Sequence, residues 1–230
     1  MGLISVILLA FGPGLAIMLH IYLKDKHEKE PLLLLIISFL YGGLSTLITW
    51  SISFPLNVFL ITKPDDVVSQ FINAFFKVAL VEEFSKFLFV RFVLFHNKNF
   101  NEPFDGIVYA VMVSMGFASV ENLLYVYQYG VVTGILRMFT AVPAHAVFGI
   151  MMGFYAGRAR FQNATWLYSA LALLVPALFH GTYDYFWFIA EIKGVYSGIW
   201  LVAVVSLVVG FILAKRAIKM HQHESPFAAK

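Results

Sequence analysis

The chain has 230 residues, of which 60% are hydrophobic and 13% charged, with a formal net charge of +3. A soluble domain of this size has no use for so much apolar surface, whereas a protein that crosses the lipid bilayer several times does; nothing in the composition asks for a nucleic acid. The absence of cysteine excludes disulfides, thiolate nucleophiles and Cys-ligated zinc or iron–sulfur sites.

Runs of about 20 apolar residues predict an all-α, polytopic membrane helix bundle of about seven transmembrane helices. The first span, Leu3–Leu23, carries Gly12-Pro13-Gly14 as an expected kink and ends at the charged loop Lys24–Glu30. Its start, Met1-Gly2-Leu3-Ile4, lacks the basic region of a signal peptide, so it is expected to be retained. The second begins at Leu32 and stays uncharged to Thr62, with Pro55 expected to end or bend it. Pro64-Asp65-Asp66 is a turn and helix-start signal for the third, Val67–Phe95. After the polar loop His96–Pro103, Asp105 is the expected N-cap of the fourth span, which runs to about Tyr129. The fifth covers Ile135–Gly157, the sixth Thr165–Ala190 and the seventh Val195–Ala214, closed by Lys215-Arg216. No repeat or linker interrupts the chain, which predicts one transmembrane bundle over 1–214 and a cytoplasmic tail over 215–230.

Alternating loops divide the Lys and Arg residues unevenly. One side holds Lys24, Lys26, Lys29, Lys98, Arg158, Arg160, Lys215, Arg216, Lys219 and Lys230; the other holds Lys63, Lys193 and Arg137. The bias predicts a multi-pass protein with its N-terminus outside and its C-terminus in the cytoplasm.

The third span carries Glu82, Glu83 and Lys86 near its middle. Each central charge costs roughly 3 kcal/mol on insertion, so the group costs on the order of 10 kcal/mol unless paired, neutralised or wet. At 100° per residue the two glutamates point apart, and Lys86, one turn on, is within reach of either. One carboxylate can pair with Lys86 while the other faces a cavity; a purely structural ion pair is the alternative.

The other polar groups inside spans are few. They are Glu121-Asn122 in the fourth, His145 in the fifth, and His180 with Asp184 in the sixth. The last two stand at i,i+4, where the carboxylate can orient the imidazole. His145 continues a row of small residues, Ala141, Gly149, Gly153 and Gly157, that lets another helix approach closely. Lys77 and Arg91 are expected to snorkel, and His221 and His223 to sit in a solvated tail. A rise of 1.5 Å per residue puts Glu82 roughly 17 Å, and Glu121, His145 and His180 roughly 12–15 Å, below the outer face. Convergence at one depth predicts one site.

Carboxylates beside imidazoles suit the activation of water, with Glu82 or Glu83 as base and histidines donating to an oxyanion or leaving amine. Alternatively Glu82, Glu121, His145 and His180 offer ligands for zinc with an open position for water. No HExxH fixes a metal by local spacing.

Along nearly its whole length the chain resembles the PrsW intramembrane proteases. The matching segments are Glu82-Glu83-Phe84-Ser85-Lys86, Asp105-Gly106-Ile107-Val108-Tyr109, Gly116-Phe117 through Glu121-Asn122, Pro143-Ala144-His145 with Gly149, and His180-Gly181-Thr182-Tyr183-Asp184. The resemblance implies a bacterial membrane protease making the first, outer-side cut in a single-pass substrate, a membrane-anchored anti-sigma factor. It also implies kinship with the CAAX prenyl proteases, which carry His in the second motif and Asn at the end of the last. This chain has Glu121 and Asp184 there, and the added carboxylates favour a metal or a shared proton. By analogy Glu82 is the expected base without a cofactor, and Glu83–Lys86 the orienting pair. Glu121 positions water, and His180 with Asp184 stabilises the oxyanion. Competing readings are a proton-coupled transporter, against which the lack of a repeat counts, and a non-catalytic membrane scaffold.

Overall fold

A computed structural model describes residues 2–228; Met1 and the Lys230 of the charge count lie outside the described residues. Helix α1 (Leu3–Lys24) runs unbroken through Pro13, and α2 (Leu32–Phe59) continues past Pro55. The third span starts at α3 (Val67–Ile72), where the Asp66 side chain accepts from the Ser69 N–H at 2.7 Å, as an N-cap should. A π-helical segment, Asn73–Ala79, then leads into α4 (Leu80–Phe92). There follow α5 (Pro103–Tyr129), α6 (Val131–Phe139), α7 (Ala141–Phe161), α8 (Thr165–Ala190) and α9 (Trp200–His223).

Among the described residues, six helices are long and apolar enough to cross a membrane. The third span falls short on composition, because Lys77, Glu82, Glu83, Lys86 and Arg91 all lie within it. The expected fifth span is two helices, since the chain breaks at Gly130, whose φ of +86° suits only glycine comfortably, and again at Thr140.

Helix α5 is the axis of the bundle, buried from Pro103 to Ser119 and packed by α1, α2, α4 and α7. That explains why it is apolar on every face: a helix surrounded by others has no polar side. Close approach is made possible by missing side chains. A Cβ on Gly153 would stand 2.3 Å from the Gly106 carbonyl oxygen, and one on Gly116 would clash with the backbone of α2 at Phe39. The small-residue row of α7 thus meets α5. Outer faces of α1, α2 and α9 leave Leu19, Ile36, Leu40, Leu44, Val205 and Ile212 exposed, as a lipid-facing surface does.

Two expectations about helix ends change. Asp105 is not the N-cap of α5: Glu102 holds that position, and Asp105, at N3, accepts from the N–H groups of Asn101 and Glu102 at 2.8 Å each. Helix α9 continues through Lys215 and Arg216, so His221 is helical and fully buried against Phe154 rather than solvated.

Candidate functional site

Helix α4 places Glu82, Glu83 and Lys86 on regular α-helical spacing, all buried. Lys86 Nζ lies 2.7 Å from Glu83 Oε1 and 3.9 Å from Glu82 Oε2. The predicted asymmetry is therefore present. Glu83 takes the lysine, while Glu82 Oε2 is buried without a hydrogen-bond partner. Just before this turn, the π segment widens the helix where α8 presses on it; a Cβ on Gly181 would meet the Phe75 ring at 2.5 Å. An extra residue in a turn shifts the rotational phase of everything after it, a common device beside functional side chains.

The row of small residues brings α7 in, and with it His145. Its Nδ1 stands 3.1 Å from Lys86 Nζ and its Nε2 2.9 Å from Glu121 Oε2. An ammonium can only donate, so Nδ1 accepts and the Nε2–H donates to Glu121. His180 arrives from α8, with Nδ1 2.9 Å from Glu83 Oε1, and Nε2 3.2 Å from Asp184 Oδ2 and 3.9 Å from Glu82 Oε2. Phe148 stacks on the His180 ring at 4.8 Å, and Phe117 lies 4.2 Å under the Lys86 ammonium. The aromatic rings hold both polar groups without giving them competing hydrogen bonds.

All six predicted site residues, Glu82, Glu83, Glu121, His145, His180 and Asp184, thus meet in one network with Lys86. Asn122 stands behind it: its Nδ2 donates to the Leu9 carbonyl at 3.0 Å, and its Oδ1 accepts from Arg137 Nε at 3.2 Å. Lys77 is turned away from the site, towards the Leu60 carbonyl and Thr62, and Arg91 donates to Ser169.

Sequence reading missed Arg137. It comes from α6, puts Nη2 2.7 Å from Glu121 Oε2, and lies 3.8 Å over the Tyr125 ring. Nothing in the sequence marks it beyond one cation at the end of a short apolar stretch. Glu121, expected to position water, is instead held between Arg137 and His145.

Glu82, Glu121, His145, His180 and Asp184 line a cavity of about 510 Å³, roofed by Thr133, Leu136 and Arg137 of α6 and walled by Tyr183 and Trp187. Its lining brings together carboxylate and imidazole groups from α4, α5, α7 and α8.

One ligand atom each from Glu82, His145 and His180 lies within 4.8 Å of the others. The donor set fits a metal. Two imidazoles and a carboxylate suit zinc, Glu82 Oε2 is an orphaned buried acceptor, and the Glu83 carboxylate anchors the far side of the His180 ring as ligand histidines require. His145 would join through Nδ1, the nitrogen that carries its lone pair, giving up the Lys86 contact and keeping its Nε2–H on Glu121.

A family model described as "PrsW family intramembrane metalloprotease" matches residues 30–213. The protein named Protease PrsW of Geobacillus kaustophilus is 38% identical over 202 residues, 86% of this chain and 87% of that protein. Its namesakes from Oceanobacillus iheyensis and Bacillus subtilis are 40% and 34% identical, over 80% and 79% of this chain and 83% and 82% of theirs. No solved structure matches. The expectation of a site without a cofactor does not fit the family's description as metalloproteases or the clustering of three donors; the zinc alternative does, with Glu121 serving His145 rather than completing the triad.

Proposed function

The chain belongs to the PrsW family and is a membrane-embedded protease, and from that premise we propose that it is a metal-assisted endopeptidase acting on a single-pass membrane protein. The observation that carries this reading is the meeting of Glu82, His145 and His180 in the lining of the cavity. These three residues would hold the ion, with zinc as the metal this donor set suits. When bound, such an ion supplies Lewis-acid polarisation and makes a water more acidic.

The chain's own groups do the rest. Glu83 spends its charge on Lys86 and its geometry on the His180 ring. Arg137 fixes Glu121, which in turn fixes His145. Asp184, half-turned to the cavity, is placed to take a proton from water or return it to the leaving amine, with His180 Nε2 beside it. The family resemblance supports a membrane-anchored anti-sigma factor as substrate, cut near the outer face so that a second protease can act. The same resemblance supports a bacterial cell-membrane location, the lack of a repeat or linker one transmembrane bundle over 1–214, and the uneven distribution of Lys and Arg a C-terminus, with 215–230, on the cytoplasmic side.

Purified protein incubated with a single-pass substrate in detergent tests the reading. We expect a discrete fragment, loss of cleavage together with the metal on chelation, and return of both on adding zinc. Full activity in protein shown by elemental analysis to hold no metal would overturn it and leave Glu82 as a metal-free general base. Coupled proton and solute movement without cleavage would indicate a transporter.

A further inference from the structure

A second group of buried acids lies at the opposite end of the bundle, where the α1–α2 loop, the start of α5 and the end of α9 meet. From Lys24 to Glu30 the loop exposes every residue except Asp25 and Glu30, which are 2% and 4% exposed. It therefore turns two of its three acids inward and its lysines outward, the reverse of what an anionic pocket without a cation favours. Glu102 and Asp105, both fully buried, face them from α5. Both oxygens of Asp25 and one of Asp105 have no hydrogen-bond partner. Glu30 accepts from the Tyr109 hydroxyl.

Among the described residues no cation comes within 4.0 Å of these four carboxylates. The nearest bases are occupied elsewhere. Lys29 donates to the Tyr22 carbonyl at 3.0 Å and His27 contacts the Gln222 carbonyl at 3.0 Å. Burial, with Glu102 and Glu30 close by, pushes the Asp25 carboxyl up to about 7. Burial raises Glu102 as well. Taking an isolated carboxylate out of water is costly, so such groups are paired or hold metal.

We propose that Asp25, Glu30, Glu102 and Asp105 form a binding site for a hard divalent cation, calcium or magnesium, at the end of the bundle away from the proteolytic cavity. The donors are all oxygen, with no imidazole or sulfur among them, which selects these ions over transition metals. Asp25 brings two unused oxygens, and Asp105 Oδ1 is free because Oδ2 alone caps the helix. A cation there would clip the α1–α2 loop to the start of α5. The Gln222 side chain, donating to the Lys24 carbonyl, ties the end of α9 to the same loop. Occupancy would thereby set how firmly three segments distant in sequence are joined.

Equilibrium dialysis of full-length protein, stripped by chelation and reloaded with zinc, tests this with calcium in one arm and magnesium in the other. We expect one calcium or magnesium ion per chain with a dissociation constant below about 1 mM, the weak end of known calcium sites. Asp25→Asn and Glu102→Gln should each weaken binding at least about tenfold, an allowance for one lost charged ligand, while Glu82→Gln should leave it unchanged. Binding that survives both loop-end substitutions, or none of either ion up to about 10 mM, well above that range, would overturn the site and leave the carboxyls holding protons. Terbium needs no carboxylate substitution. Luminescence excited through tyrosine should appear, fall with added calcium or magnesium, and be dimmed by Tyr109→Phe; signal unaffected by Tyr109→Phe counts against the site.

Discussion

Each end of this bundle gathers four carboxylates, and the two groups are neutralised differently. Around the cavity, Glu82, Glu83, Glu121 and Asp184 are interleaved with Lys86, Arg137 and two imidazoles, so that nearly every acid has a named partner. At the far end, Asp25, Glu30, Glu102 and Asp105 have the Tyr109 hydroxyl and backbone N–H groups at the start of α5 as partners, and among the described residues no basic side chain within 4.0 Å. The first arrangement keeps charges in place inside a low-dielectric interior, where they can act on a substrate. The second has no fixed countercharge, and its charge state is set by what it takes from solution. Burial of an acid is thus not in itself a sign of catalysis; the partners decide what it does.

The sharpest way to break the comparison is at Glu82, which lines the cavity and whose Oε2 is buried without a hydrogen-bond partner. Glu82→Gln keeps its shape but removes one of the three groups that would hold the ion, and should lower activity by at least about 10²-fold, the upper end of what loss of a group behind a ligand costs. Yield of folded protein should hold. A cleavage assay beside size-exclusion chromatography checks this, and a variant retaining a tenth or more of wild-type activity would move the chemistry elsewhere. Next comes Lys86→Met, which leaves buried Glu83 with only the His180 ring as a partner; breaking a buried pair this way costs about 3–5 kcal/mol. Thermal unfolding in detergent should show the loss, and an unchanged midpoint would mean that Glu83 is held by His180 alone. Arg137→Gln should be milder, about 10 to 100-fold in activity, the usual scale for a group that orients a ligand's partner. A rise in zinc dissociation constant without unfolding would identify it as a positioning residue acting through Glu121 and His145.

The two acid groups also differ in how far the sequence displays them. The cavity group is legible because its members sit on helices, where spacing fixes direction. Glu83 and Lys86 are one turn apart, as are His180 and Asp184, and the four-residue row from Ala141 to Gly157 predicts the close packing that delivers His145. Arg137 is not legible, because its helix begins at the Gly130 break inside what reads as the run-up to one long span. The distal group is less visible still. Asp25 and Glu30 stand among five exposed residues of a charged loop, and neither period 3.6 nor any motif says that two of seven will be buried. Asp105 is marked as a helix-start residue, but its N3 position, which leaves one oxygen free, depends on Glu102 and on backbone geometry. Periodicity reads contacts along a helix; it does not read where loops from 80 residues apart converge.

The smallest expected effect, and the one with opposite sign, comes from Asp25→Asn. In the cavity group, removing one member of a pair destabilises. At the far end, the carboxyl of Asp25 titrates near 7 in the folded protein, against an ordinary value of 3.8. Its folded form therefore binds a proton that the unfolded chain has already lost between about pH 4 and 7, so stability falls as pH rises through that window. Asparagine cannot ionise and escapes this loss. In chelator at pH 8, Asp25→Asn should be more stable than wild type, on the order of 1 kcal/mol. Below about pH 4, where Asp25 is protonated in the folded and the unfolded chain alike, the difference should vanish. Saturating calcium or magnesium should reverse the order at pH 8, because the wild type gains a ligand-bound state that the variant has lost. Unfolding midpoints at the two pH values, with and without cation, measure all four corners. A variant less stable than wild type at pH 8 in chelator would show that Asp25 already has a positive partner inside the protein, and the contrast between the two ends of the bundle would fail.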